Sequence, residues 1–297
     1  MNKIMKMIAT AAVGLCASAT VCAQVPLTIP AGAGGQNHRV AIGLQKYLAD
    51  WIGQPVVFDF RPGGFGGVAA RHMKQSTLPA HFLLQLGQTR ADYEIDQLTE
   101  LVPVIEVGTI RHIIYVRSTL GIKTYNDLAN SAPGKKISYG VVHGGGLEFF
   151  QRGFWKTTPN IDPVEVLYKT GANKIADILG GHLDVGLSGE SLMQQYAAEG
   201  RIIPLIVTSN TRSKIYPTVP TMAELKLKFP NDSHKPIYFL WATKSTDPAM
   251  IDRIKKAFAQ WMVTDEAKQV FEGFDSEPPT PAQAVRPEIA LTRLLGR

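Results

Sequence analysis

The stretch 25–60 decides the fold, and it reads VPLTIPAGAGGQNHRVAIGLQKYLADWIGQPVVFDF. A short apolar strand is followed by a glycine-rich loop at 31–35. The next residues form an amphipathic helix, because apolar side chains recur every three to four positions as far as Trp51. Gly53 and Pro55 end that helix, and a second strand begins directly after them. A strand, a glycine loop, a helix and another strand are typical of an α/β unit.

The same pattern recurs along the chain, with further glycine loops at 62–67 and 143–146. Strands and helices alternate as far as about residue 262, which favours sheets with helices packed on them. We therefore predict an α/β fold with two lobes, each a mostly parallel sheet flanked by helices. The expected boundaries are 24–110 with 238–297 for lobe 1, and 111–237 for lobe 2. Ligands bind beyond the carboxyl ends of strands in such sheets, which places a site in the cleft between the lobes.

Residues 1–23 have the features of a secretory signal peptide. Lys3 and Lys6 precede an apolar run at 7–17, and small residues at 21–23 predict cleavage after Ala23. The run is too short to span a bilayer, which needs about 20 residues. Cys16 and Cys22 both lie inside this leader, and neither follows the small residue that lipid attachment requires. We expect an exported periplasmic protein without thiols.

Composition excludes several classes of protein. The 297 residues are 45% hydrophobic and 19% charged, with a net charge of +6, so the chain is neither disordered nor collagen-like. The basic residues are spread out, with no block of five, so we expect no binding to nucleic acid or membrane surfaces. Removal of the leader would lower the net charge by two.

The glycine loops indicate an anion site. Glycine lets the backbone approach a ligand closely, and the helix that follows offers unpaired N–H groups and a partial positive charge. A small carboxylate fits such a cleft without any catalytic side chain.

Several segments in order resemble the periplasmic receptors of tripartite tricarboxylate transporters, the Bug family. The loop at 29–35 looks like the family's V-P-F-P-P-G-G, and 53–64 is similar to its G-Q-P-V-V…N-R-P-G. The segments at 133–140 and 168–185 match P-G-K…Y-G and Y-K-G…D-L-L-G-G-x-V-D-V. The segment at 207–221 matches V-T-S…R…P-D-V-P-T. The resemblance covers nearly the whole chain after the leader.

The resemblance implies a two-lobed type II periplasmic binding fold that closes on a small carboxylate and passes it to a membrane permease. It also implies a monomer without cofactor, metal or catalytic residue. By position, the implied ligand-binding residues of the first lobe are Gly34, Gly35, Gln36, Asn37, Gln88, Thr89 and, on the returning strand, Tyr238. Those of the second lobe are His143, Gly144, Gly145, Gly146, Tyr168, Lys169, Thr170 and Ser188.

The chain departs from the family pattern at several of these positions. Gln36-Asn37 stands where the family commonly has T-D, and Ser188-Gly189 replaces D-N. The returning strand carries bulky Tyr238, Phe239 and Trp241 in place of W-x-G. With fewer hydroxyl donors and more aromatic surface, we predict a carboxylate with an apolar or aromatic body.

Four alternative functions have weaker support in the sequence. Residues 64–69 fit the dinucleotide pattern G-x-G-x-x-A, but no acidic residue ends the next strand, which argues against nucleotide binding. Ser188 is one residue short of a G-x-S-x-G nucleophile motif, so an exported hydrolase is the weaker alternative. The seven histidines show no metal-binding spacing. A receptor that presents its ligand to a membrane sensor kinase is the remaining alternative function.

Overall fold

The computed structural model describes residues 24–63, 66–86, 100–142, 147–169, 171–227 and 236–294. Two sheets flanked by helices form its two lobes. The strands are β1 (Val25–Ile29), β2 (Val56–Phe60), β3 (Phe82–Leu86), β4 (Leu101–Ile110), β5 (His112–Arg117), β6 (Lys135–Val142), β7 (Ile161–Tyr168), β8 (Val185–Gly189), β9 (Ile202–Val207), β10 (Ile237–Thr243) and β11 (Ser276–Glu277). The α-helices are α1 (Gln36–Ile52), α2 (Gly67–Lys74), α3 (Tyr125–Ala129), α4 (Glu148–Trp155), α5 (Gly171–Leu179), α6 (Gln194–Ala198), α7 (Pro248–Trp261), α8 (Asp265–Gly273), α9 (Pro281–Ala284) and α10 (Pro287–Leu294).

The first sheet has the strand order β11-β4-β10-β3-β1-β2. β1 pairs in parallel with β2 and β3, whereas β10 returns from the second lobe and pairs antiparallel with both β3 and β4. The carboxyl end of β1 leads into the first glycine loop, so this edge of the sheet faces the predicted cleft.

The second sheet has the order β7-β6-β8-β5-β9. β6 pairs in parallel with β7 and β8, and β5 runs antiparallel between β8 and β9. Only Arg111 separates β4 of the first sheet from β5 of the second, so the chain crosses between the lobes there.

Helix α1 forms where the apolar periodicity predicts it. Leu44 and Leu48 are each 1% exposed and pack into the core of the first lobe, which stabilises the fold by roughly 2 kcal/mol for each side chain. Gly53 ends the helix in the left-handed conformation with φ of 77°, and its N–H donates to the carbonyl of Ala49. Trp261 of α7 packs against Trp51 with ring centroids 5.6 Å apart, which holds the C-terminal helices on this lobe.

Two helix starts are capped by side-chain hydrogen bonds. Asp247 Oδ1 accepts from the Ala249 N–H at 3.0 Å, with Pro248 as the first residue of α7. Thr124 and Asp127 form a reciprocal capping box at the start of α3. In the part of the chain that the structure covers, no helix combines the length and apolarity needed to cross a bilayer.

Candidate functional site

The first glycine loop places the start of α1 at the edge of the cleft, and this helix start has no side-chain cap. Residues 32–35 are exposed, and Gly34 has a φ of 83°, a conformation that favours glycine. Gly35 is the N-cap, and no side chain caps the helix. The first turn also has no acidic residue, so its N–H groups and partial positive charge remain available to an anion.

His38 fixes the shape of this loop. Its Nδ1 accepts from the Gly34 N–H at 3.0 Å, and its ring packs edge-on against Phe58 and Phe60 of β2. The loop is therefore set in place before any ligand arrives, which reduces the entropy that binding must remove.

Asn37 and Tyr238 are brought together as a pair. The Tyr238 hydroxyl donates to Asn37 Oδ1 at 2.6 Å, and the tyrosine is only 2% exposed. Burial raises the pKa of this phenol above its ordinary value, so it stays a neutral donor. Tyr238 thus orients the first turn of α1 from the neighbouring strand β10.

The end of β8 approaches the start of α1 across the lobes. A Cβ atom on Gly189 would lie 3.0 Å from Gln36 Oε1 and 3.2 Å from Asp275 Oδ2. Gln36 donates through Nε2 to the Phe274 carbonyl at 2.8 Å, whereas its buried Oε1 has no partner among the described residues. Gln36 is therefore the predicted site residue that meets the second lobe.

Ser188 is a strand residue and not part of a loop. β8 extends to Gly189, and Ser188 within it is 7% exposed. Its Oγ lies 3.0 Å from the Tyr115 hydroxyl, and burial raises the pKa of that phenol. The hydroxyl is thus already paired inside the second lobe.

Tyr168 is similarly engaged, whereas Lys169 is exposed. The Tyr168 hydroxyl donates to Asp177 Oδ2 at 2.7 Å and ties the end of β7 to α5. The other predicted contacts, at positions 88, 89, 143–146 and 170, lie outside the described residues.

A cluster of charged and polar side chains, the interlobe cluster, joins the lobes beside this site; its members are Arg39, Arg111, Glu190, Ser191 and Asp275. Arg39 donates to Ser191 Oγ at 3.0 Å, and Ser191 donates through Oγ and its backbone N–H to Asp275 Oδ2 at 2.8 and 3.1 Å. Arg111 Nε lies 2.5 Å from Glu190 Oε1. Burial raises the pKa of the Asp275 carboxyl, although the bonds from Ser191 oppose this shift.

Sequence reasoning missed two buried side chains near the cleft. Gln85 on β3 is 2% exposed, and both polar atoms of its amide lack partners among the described residues. Lys174 on α5 is 6% exposed, its Nζ donates to the Leu187 carbonyl, and no carboxylate of the described residues forms an ion pair with it. Helical periodicity could have flagged Lys174, which lies four residues before the buried Ile178.

Replacing Lys174 by methionine should stabilise the ligand-free protein at neutral pH. Burial lowers the pKa of Lys174 to about 8, so the unfolded chain binds more protons between about pH 8 and 10.5. Stability of the parent should therefore rise through that window, and below it the buried charge costs on the order of 3 kcal/mol. Loss of the bond to Leu187 offsets about 1–2 kcal/mol, leaving a net gain of about 1–2 kcal/mol at pH 7.

Urea unfolding of the parent and the methionine variant at pH 7 and pH 10 measures this difference. The gain should vanish at pH 10, and the exposed control Lys169→Met should change stability by less than about 0.5 kcal/mol. A gain of equal size at both pH values would contradict a buried ammonium.

A separate cavity of 310 Å³ lies beside β4 and the C-terminal helices. Its walls include the acidic residues Glu106 and Glu277 and the basic residues Arg286 and Arg293. None of the predicted ligand residues lines it, and its two acidic groups offset the charge of its two arginines.

Comparison with known proteins matches the family described as Tripartite tricarboxylate transporter family receptor (TctC) over residues 40–286. Protein BugT of Bordetella pertussis is 25% identical over 273 residues, covering 88% of this chain and 82% of BugT. A UPF0065 protein of Cupriavidus necator is 27% identical over 287 residues, covering 91% and 86% of the two chains.

Solved structures share the fold. The periplasmic binding protein BugD superposes with a TM-score of 0.76 at 19% identity, covering 92% of this chain and 94% of BugD. MatC from Rhodopseudomonas palustris with bound malate gives a TM-score of 0.77 at 16% identity, covering 92% and 97%. An R. palustris protein with adipate gives 0.75 at 21% identity, with the same coverage. The two lobes, the uncapped start of α1 and the family match over most of the chain lead to one conclusion: this protein belongs to the tripartite tricarboxylate transporter receptor (Bug) family.

Proposed function

We propose that this protein is a periplasmic solute receptor that binds a small carboxylate between its lobes and delivers it to a membrane permease. The exposed, uncapped start of α1 carries the proposal. Residues 35–37 present backbone N–H groups at the uncapped helix start, and no acid lies in the first turn. Gln36 reaches the end of β8 in the other lobe. An anion held there would contact both lobes, and its binding would favour the closed form that a permease can recognise.

Two structural neighbours support a carboxylate as the ligand, since one holds malate and another adipate.

The aromatic side chains of β10 bear on whether the rest of the ligand is aromatic or aliphatic. Phe239 and Trp241 are fully buried in the core beneath α2, and Tyr238 uses its hydroxyl on Asn37. These aromatic side chains therefore do not line a pocket for an aromatic ligand. We propose that the ligand is an aliphatic dicarboxylate and not an aromatic acid.

The surroundings of Ser188 favour a binding protein over a hydrolase that would use this serine as its nucleophile. Ser188 pairs with the Tyr115 hydroxyl, and the raised pKa keeps that phenol protonated at neutral pH, so it is not available as a base. A hydrolase would need a base that can take the serine proton.

A thermal-shift panel tests the proposal with ligands matched in shape and differing in charge. Malate, adipate, benzoate and aspartate are compared with the uncharged adipamide, each at several concentrations. Adipate or malate should raise the melting temperature, because a ligand at 100 times its Kd adds about 2.7 kcal/mol, and adipamide should not. Stabilisation by adipamide equal to that by adipate would contradict an anion site. A larger shift in melting temperature with benzoate than with adipate would favour an aromatic ligand.

The partner distinguishes transport from sensing. Crosslinked membranes should yield the permease subunits with the ligand-loaded receptor, in larger amounts than with the empty one. Recovery of a histidine kinase in their place would favour the sensor alternative.

A further inference from the structure

A cluster of two histidines and one aspartate lies on the first lobe, and none of its members is among the predicted ligand-binding residues. Asp59 belongs to the edge strand β2, His72 to α2, and His81 directly precedes β3. One possible ligand atom from each lies within 4.8 Å of the others. His72 follows Asp59 by 13 positions and His81 follows His72 by 9, so no short sequence motif predicts the cluster.

The distances suit a single ion. His72 Nε2 and Asp59 Oδ2 are 3.1 Å apart, and two ligands on a tetrahedral Zn²⁺ at about 2.0–2.1 Å from the metal would be about 3.3 Å apart. Asp59 and His72 are partly exposed, so side-chain rotation can close the remaining distance to His81 and leave a position open for water.

His81 is held as a metal ligand usually is. The side chain is 1% exposed, and its Nδ1 lies 2.8 Å from Ser76 Oγ, which fixes the ring orientation. Its Nε2 faces Thr28 Oγ1 at 2.8 Å, and that hydroxyl lies 3.4 Å from Asp59 Oδ2.

Two groups compete with an ion for these ligands: Thr28 Oγ1 hydrogen-bonds His81 Nε2, and Arg61 pairs with Asp59. Arg61 Nε lies 2.9 and 3.0 Å from the two oxygens of Asp59. Arg61 is 45% exposed and its pair with Asp59 is worth little at the surface, so an ion can displace it.

We propose that Asp59, His72 and His81 form a binding site for a divalent transition-metal ion of the Zn²⁺ class. Imidazole nitrogen and carboxylate oxygen suit such an ion, and the protein has no cysteine after residue 22 to compete for it. A bound ion would pin β2, α2 and the start of β3 together.

Zn²⁺ titration of the untagged protein against a chromophoric chelator at pH 7.5 tests the site. The parent should bind one equivalent, and His72→Gln should weaken binding by at least about tenfold. Ser76→Ala should weaken it less, by loosening His81. The control His182→Gln changes an exposed histidine outside the cluster and should leave affinity within twofold.

Melting temperatures of the metal-free variants separate binding from folding, and the visible spectrum of the Co²⁺ form reports its coordination. The proposal fails if the parent shows no saturable binding. It also fails if His72→Gln, folded like the parent, binds Zn²⁺ equally well, or if His182→Gln alone loses the ion.

Discussion

Replacing Arg111 by methionine should lower the free energy of unfolding by about 3–5 kcal/mol, the largest effect we expect from a single substitution. Arg111 is the crossing residue between β4 and β5, and its Nε lies 2.5 Å from Glu190 Oε1. Glu190 is fully buried, and its second oxygen already lacks a partner among the described residues. Methionine would fill similar space but leave that carboxylate without its counter-charge.

Arg117→Met is the matched control, since it removes an arginine from the opposite end of β5. Arg117 pairs with Asp184 at 2.8 Å, but Asp184 keeps hydrogen bonds from the backbone N–H and the hydroxyl of Ser138. Its removal should cost about 1 kcal/mol. Urea unfolding of the ligand-free proteins at pH 7 measures both, and equal losses in the two variants would contradict a special role for the crossing residue.

Replacing Gly34 by valine should weaken carboxylate binding about a hundredfold, which is about 2.7 kcal/mol. A β-branched residue at a φ of 83° is strained, so the loop would shift and turn the N–H groups of residues 35–37 away from the ligand. No atom lies within 4 Å of a Cβ added at Gly34, so the strain comes from the backbone alone.

Gly32→Val provides the comparison within the same loop. An added Cβ there also meets nothing within 4 Å, and Gly32 is not in the left-handed region. Its affinity for adipate, measured by calorimetry, should stay within threefold of the parent. Equal affinities for the Gly34 and Gly32 variants would show that the loop geometry does not set binding.

Much of the fold follows from local patterns. The strand, glycine loop and helix at 25–52 lie where periodicity predicts them, because the apolar positions of α1 match one buried face. Gly53 and Asp247 mark helix ends through conformational rules that act within a few residues.

The rest depends on contacts distant in sequence. The position of Ser188 after an apolar strand predicts that it lies in a loop. Pairing with β5 instead extends β8 through Gly189. The charge of Lys174 alone would place it at the surface, but it is buried because α5 packs against the second sheet. Glu190 follows β8, whereas its partner Arg111 lies at the crossing between β4 and β5. No spacing rule within one segment encodes such pairs.

Titration of ¹⁵N-labelled protein with adipate tests most directly whether a carboxylate binds at the start of α1. The backbone N–H signals of Gly34, Gly35, Gln36 and Asn37 should shift together and saturate at one equivalent, while those of the separate cavity near Arg286 and Arg293 stay in place. Shifts confined to that cavity, with the four signals of the loop unmoved, would contradict the account.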